Sequence, residues 1–250
     1  MAVDELNILT YWYQHLWLMK QLTKSIIALF ASTLLLTASK VSAQDPIMAL
    51  DPTLMAGWSG NLAYGNSAAH RSTTASKTNF AYTSTPALRQ QVVASFSKRL
   101  QASSPQGAKA LNTAFGPGKA DYGQVYQQML KTSALHDNNA ADALAGLLLA
   151  GYEIVNQVQD DKITPAMERG TRAQVATLIA SNPKMSNAAQ RARLSEELKL
   201  QTVLLALGWQ ETLKANTQAA YRQSIASMFQ NQYHLDLTQL KLTTNGFAKK

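Results

Sequence analysis

The stretch "NAAQRARLSEELKLQTVLLALGWQETLK", residues 187–214, is the longest helical pattern in the chain. Its centre, "VLLALGW", is apolar nearly all round. That is the signature of a helix enclosed by other helices, so the stretch predicts a bundle built around it.

The segments on either side read as its neighbours. "STPALRQQVVASFSKRL" places Thr85 as an N-cap and Pro86 at the first helical position, with Leu88, Val92, Val93, Phe96 and Leu100 on one face. A short helix follows from Ser104-Pro105 and ends at the "GPG" of residues 116–118. Asp121 and Gln124 then have the spacing of a capping box, ahead of a stripe of Tyr122, Val125, Tyr126, Met129 and Leu130. From Asn139 another helix turns Leu144, Leu147, Leu148, Val155 and Val158 inward. Its Gly146 and Ala150, four apart, would let a neighbour approach closely. Thr164-Pro165 opens a helix carrying Met167, Val175, Leu178 and Ile179, which "SNPKMS" breaks. The last, from Gln218, presents Tyr221, Ile225, Met228, Phe229 and Tyr233. Beyond it, Leu235, Leu237, Leu240 and Leu242 are spaced for packing in a short irregular or extended tail. There is no strand-rich region, internal repeat or second domain. The expectation is an all-α fold, a single compact bundle of about six helices over residues 80–250.

Ahead of the bundle, "LMKQLTKSIIALFASTLLLTASKVSAQDP", residues 18–46, has the parts of a secretory signal. Lys20 and Lys24 give a positive start, an apolar run follows, and Val41-Ser42-Ala43 supplies the small residues a signal peptidase reads. Only fifteen residues separate Lys24 from Lys40, fewer than the about 20 apolar residues a membrane span needs. Cleavage after Ala43 is therefore favoured over an uncleaved anchor, which leaves no stable membrane span. Residues 1–18 hold Asp4 and Glu5 with an aromatic cluster, and acids weaken a signal start. Met19 as initiator accounts for this, with residues 1–18 an upstream mis-annotated extension and 19–43 the signal peptide. A genuine amphipathic extension is the alternative. Residues 44–79, rich in Ser, Thr, Ala, Gly and Asn, predict a flexible polar and basic tether. Trp58, Tyr64, Phe80 and Tyr82 are where it could dock back, the last two above all because they adjoin the folded part.

The chain of 250 residues has a formal net charge of +8 and no Cys, which excludes thiol catalysis and thiolate metal sites. The charge is unevenly placed. No acid lies between Asp51 and Asp121, while Arg71, Lys77, Arg89, Lys98, Arg99, Lys109 and Lys119 fall in that interval. Such a field attracts an anionic envelope component or an acidic protein, with Lys98, Arg99, Arg71 and Lys77 as the candidate contacts. Solubility alone is the plainer account. Export argues against nucleic acid as the partner.

Among polar residues, "HDNNAAD" (136–142) is the densest cluster. His136, Asp137 and Asp142 could serve as base or ligands. The stronger reading is a helix start, with Asn139 as the N-cap and Asp142 at the positive end of the dipole. Arg89 stands out more. At about 100° per residue it falls inside the apolar arc of its helix, so its guanidinium must meet a carboxylate or carbonyls, or line a cleft. A structural pair is favoured over a ligand site. Glu196 and Glu197 are adjacent and cannot face each other as a catalytic pair, and Glu153 should be solvated. No nucleophile elbow, phosphate loop or metal-ligand spacing is present, so neither catalytic residue nor cofactor nor metal is assigned.

Three segments, "FAYTSTPALRQQVVASF", "HDNNAADALAGLLLAGYEIVN" and "LKLTTNGF", resemble an uncharacterised family of exported bacterial helical proteins, a domain of unknown function. The resemblance runs from about Phe80 to the C-terminus. It implies a helical domain behind a signal peptide and carries no activity. The expected function is that of a non-enzymatic periplasmic or secreted binding protein with a basic N-terminal third. A cell-envelope hydrolase with an unrecognised site is the alternative, and an effector or accessory factor encoded beside its partner a third.

Overall fold

The computed structural model describes residues 79–250, Ser181 excepted. The readings of residues 1–18, of 19–43, and of the 44–79 segment as far as Thr78 lie outside the described residues. So do those of Trp58, Tyr64, Arg71 and Lys77.

The described residues form an all-α bundle with a short hairpin at its end. In chain order its helices are α1 (Pro86–Ser103), α2 (Pro105–Phe115), α3 (Tyr122–Met129), α4 (Ala140–Asn156), α5 (Pro165–Ile179), α6 (Pro183–Ser186), α7 (Ala188–Ala215) and α8 (Gln218–Tyr233). Strands β1 (Leu240–Thr243) and β2 (Gly246–Lys249) follow. The starts obey local chemistry. Thr85, Ser104 and Thr164 each accept a backbone N–H three residues on, ahead of a proline that needs no partner for its own nitrogen.

Eight α-helices form among the described residues where about six are expected, and the tail is paired as strands. The break at "SNPKMS" contains a turn of helix, α6, started by Asn182 accepting from Lys184 N–H at 2.9 Å. The tail is an antiparallel hairpin pairing Leu240 with Lys249 and Thr243 with Gly246. Gly246 takes φ +98°, a region open to glycine and costly for other residues.

The core has two parts, and α7 packs against elements of both. On one side α4, α5, α8 and the hairpin enclose Leu147, Leu148, Val175, Phe229, Leu237 and Phe247. On the other, α1, α2 and α3 enclose Phe96, Leu111, Tyr122 and Tyr126, together with Leu200 and Val203 of α7. A neighbour does approach closely at Gly146, where a Cβ would lie 3.0 Å from the Tyr126 hydroxyl of α3. The approach is closer still at Gly151, where a Cβ would collide with the Phe229 ring. Glu153, expected in solvent, is half-buried.

Burial along α7 differs from the sequence reading. Within "VLLALGW", Leu204, Ala206, Leu207 and Trp209 are only partly covered. The most enclosed part is the preceding polar stretch, where Ser195, Glu196, Lys199, Gln201 and Thr202 are all buried. The physical reason lies in the partners that surround that stretch.

Candidate functional site

At the level of Glu196 and Lys199, four other pieces of chain meet α7. The first is a strap, residues 79–84, that leads into α1. Phe80 enters the core, Ala81 bridges to Asn139, and Tyr82 N–H donates to the Asn138 carbonyl at 3.0 Å. Arg191 of α7 holds the strap from beneath, its Nε donating to the Ala81 carbonyl at 3.0 Å. The second is the turn before α4, where Asn138 has φ +60°. The others are α3, with Tyr122 and Tyr126, and the start of α1, with Arg89.

These pieces close a charge network. Glu196 is fully buried, and its Oε1 accepts from the Tyr82 hydroxyl at 2.8 Å and from Lys199 Nζ at 2.7 Å. Its Oε2 accepts from the Tyr122 hydroxyl at 2.9 Å. Lys199, 1% exposed, also donates to Asp137 Oδ1 at 2.6 Å, and its ammonium lies 5.7 Å from the Tyr82 ring centre and 5.5 Å from that of Tyr126. Both rings add cation–π attraction to a charge that has lost its water. Asp137 accepts further from Gln127 Nε2 at 2.8 Å and from Asn138 N–H. Burial works against its charge, but the hydrogen bonds from Lys199 and Gln127 prevail and hold its carboxyl below the usual range. Burial, then the Glu196 carboxylate, drives the Tyr82 and Tyr122 hydroxyls far above the ordinary phenol range.

Arg89 lies beside this network. Its Nε and Nη2 form a two-pronged pair with Asp121 at 2.7 and 2.6 Å, and Nη1 donates to Ser84 Oγ at 2.6 Å. The partner that sequence could not name is Asp121. The same carboxylate caps α3, accepting from Gly123 N–H at 2.9 Å, so one acid ties two helix starts together. Burial opposes the guanidinium's charge, and the Asp121 hydrogen bond and charge outweigh it, raising the Arg89 pKa.

The "HDNNAAD" residues separate. Asn139 caps α4, accepting from Ala141 and Asp142 N–H. Asp137 joins Lys199. Asp142 is fully buried, with Arg172 Nε 2.9 Å from Oδ1 and His136 Nδ1 3.9 Å from Oδ2, while the His136 side chain is 79% exposed. The Arg172 contact is close but poorly aligned for a hydrogen bond. Burial raises the Asp142 pKa, with Arg172 pulling the other way. His136, Asp137 and Asp142 therefore do not converge on one point, and no three His, Asp or Glu side chains do so as metal ligands among the described residues.

Of the proposed anion contacts within the described residues, Lys98 is exposed but Arg99 is engaged. Its Nη2 bonds Glu197 Oε1 and its guanidinium lies 5.2 Å from the Phe96 ring centre. Glu196 and Lys199 were not singled out as a pair by the sequence reading. Their i, i+3 spacing within a helix was the available signal, but the tyrosines and Asp137 that make them buried come from distant segments.

No described helix is long and apolar enough to cross a membrane. No curated protein and no solved structure matches the chain. A family model does match, over residues 47–249, so it reaches well ahead of Phe80. The chain accordingly belongs to that family, a family of unknown function (DUF6683).

Proposed function

We propose that the chain is an exported binding protein without catalytic activity, which engages an anionic envelope component or an acidic protein through its basic N-terminal third. The observation that carries this reading is the uneven charge. Lys98 on α1, Lys109 on α2 and Lys119 in the loop before α3 all stand exposed, in an interval that contains no acid. Arg193 of α7 is exposed as well, its guanidinium donating to Ser95 Oγ of α1 at 3.2 Å. The acids also favour it over a hydrolase. Glu196, Asp137 and Glu197 are each occupied by a Lys or Arg from within the fold, and a general acid or base must instead reach a substrate proton.

The test is co-sedimentation of the purified chain with envelope material across a salt series. Binding should weaken steeply with ionic strength, because exposed charges are screened within about 10 Å at 0.1 M salt. It should fall further when Lys98, Lys109 and Lys119 are changed to Gln. Binding that ignores both salt and these exchanges would overturn the proposal.

A further inference from the structure

The network around Lys199 has a composition that ion pairing alone does not require. An amine that is 1% exposed touches two carboxylates, Asp137 Oδ1 at 2.6 Å and Glu196 Oε1 at 2.7 Å, between two aromatic rings. The resting state is the ion pair, since hydrogen bonds hold the Asp137 carboxyl below its usual range. One proton transfer along the 2.6 Å contact between Nζ and Oδ1 reaches the neutral pair of amine and carboxylic acid. Neutral amine and carboxylic acid held in contact are the reactants of amide formation, and fixing them there removes much of the entropic barrier. We propose that Lys199 and Asp137 become joined by an isopeptide bond between Nζ and Cγ, formed within the folded chain with Glu196 as the base.

The step balances with the atoms present. One Nζ proton passes to Asp137 Oδ1, leaving a neutral amine beside a carboxylic acid. The amine adds to Cγ while Glu196 takes a second proton from Nζ. Both Glu196 Oε1 and Asp137 Oδ1 lie on the same amine, so that proton can be handed on to Oδ1, which departs as water. The C–N bond replaces the C–Oδ1 bond, nothing is oxidised or reduced, and no co-reactant is needed. Oδ2 remains as the amide oxygen, and Gln127 Nε2, at 2.8 Å, is placed to stabilise the negative charge that builds there during addition. Asn138 N–H donates to the departing Oδ1 at 2.8 Å. The product would fasten the turn before α4 to the central helix beneath the Tyr82 strap, a covalent tie in a chain with no cysteine.

The test is a tryptic map of the purified full chain by mass spectrometry. The expected result is the Asp137 and Lys199 peptides joined and lighter than their sum by one water, with no cleavage after Lys199. The two peptides recovered separately at full mass would overturn the proposal. So would a water lost within the Asp137 peptide alone, which marks cyclisation onto the Asn138 nitrogen. Glu196→Gln, shown to be folded by circular dichroism, should leave the peptides separate. Joined peptides in that variant would overturn the role of Glu196.

Discussion

The two halves of α7 invert the usual relation between polarity and burial. The stretch Ser195–Thr202 holds two acids, a lysine, a glutamine and two hydroxyls, yet Glu196, Lys199 and Gln201 are enclosed completely or nearly so. Its continuation from Val203 to Trp209 is apolar throughout, and Leu213, beyond Gln210, Glu211 and Thr212, is 49% exposed. Apolar surface left in water is ordinary and carries a modest penalty per residue. Buried charge is tolerated only as a complete set, and here the set is complete because α3, the strap and the turn before α4 each contribute a partner. The polar half therefore defines where these three pieces sit relative to α7, while the apolar half supplies adhesion that other arrangements could also provide.

The largest effect should come from breaking the set. Lys199→Met leaves Glu196 enclosed without its cation, a change that costs about 3–5 kcal/mol in buried pairs. It is to be read from the denaturant midpoint. The double exchange Glu196→Leu with Lys199→Met removes both charges. Recovery in the double variant measures how much of the loss was unpaired charge, and whatever does not recover includes any covalent tie to Asp137. Next comes Tyr122→Phe, which deletes the donor to Glu196 Oε2 at a buried position and should cost about 1–3 kcal/mol. The half-buried Tyr82 should cost less by the same exchange.

The polar half also has a pH signature. The Tyr82 and Tyr122 hydroxyls are shifted upward by burial and by Glu196. A group whose folded pKa lies above its unfolded value stabilises fully below the unfolded value, about 10 for tyrosine, and loses that contribution as pH rises. Alkaline unfolding should therefore begin near there, with a shallower slope in Tyr122→Phe. Asp137 has the opposite sign. Its folded pKa is depressed, so its contribution is present above the unfolded value of about 3.9 and disappears as pH falls through the folded one. While Asp137 and Lys199 are unjoined, Asp137→Asn should flatten the acid limb of a pH–stability curve and leave the alkaline limb unchanged, an effect smaller than either loss above. Once the amide has formed, the carboxyl is gone and the wild-type acid limb should already be flat.

These contrasts also show how far sequence could reach. Helix starts were legible because Thr85-Pro86, Ser104-Pro105 and Thr164-Pro165 settle their geometry within four residues. The inward faces of α1, α4 and α8 were legible from periodicity. Arg89 was recognisable as a residue needing a partner because its own helix surrounds it with apolar neighbours. Glu196 and Lys199 were not recognisable in that way. In sequence Glu196 shows only that it cannot face Glu197 and Lys199 has no mark of its own, and their burial follows from contacts made across 62 residues to Asp137 and 74 to Tyr122. Burial of VLLALGW was overestimated for the complementary reason, since an apolar stretch reports what a helix could bury and not what arrives to cover it. The tail's hairpin depended on Gly246 and on Gln174 of α5, whose Oε1 accepts from Phe247 N–H and whose Nε2 donates to the Phe247 carbonyl.

The smallest expected effect is the sharpest check on the contrast between the halves. Leu213→Ser changes a large apolar side chain to a polar one on the central helix, which by hydrophobicity alone should be costly. With about half of its surface already in water, the exchange should shift stability by no more than about 0.5 kcal/mol, the range of ordinary surface substitutions. A thermal melt beside Tyr122→Phe reads the comparison directly, since the tyrosine exchange removes a single oxygen and the leucine exchange removes most of a side chain. If Leu213→Ser proved the more damaging of the two, the exposed half of α7 would have to be covered in the intact protein. The ordering of polar set before apolar adhesion would then fail.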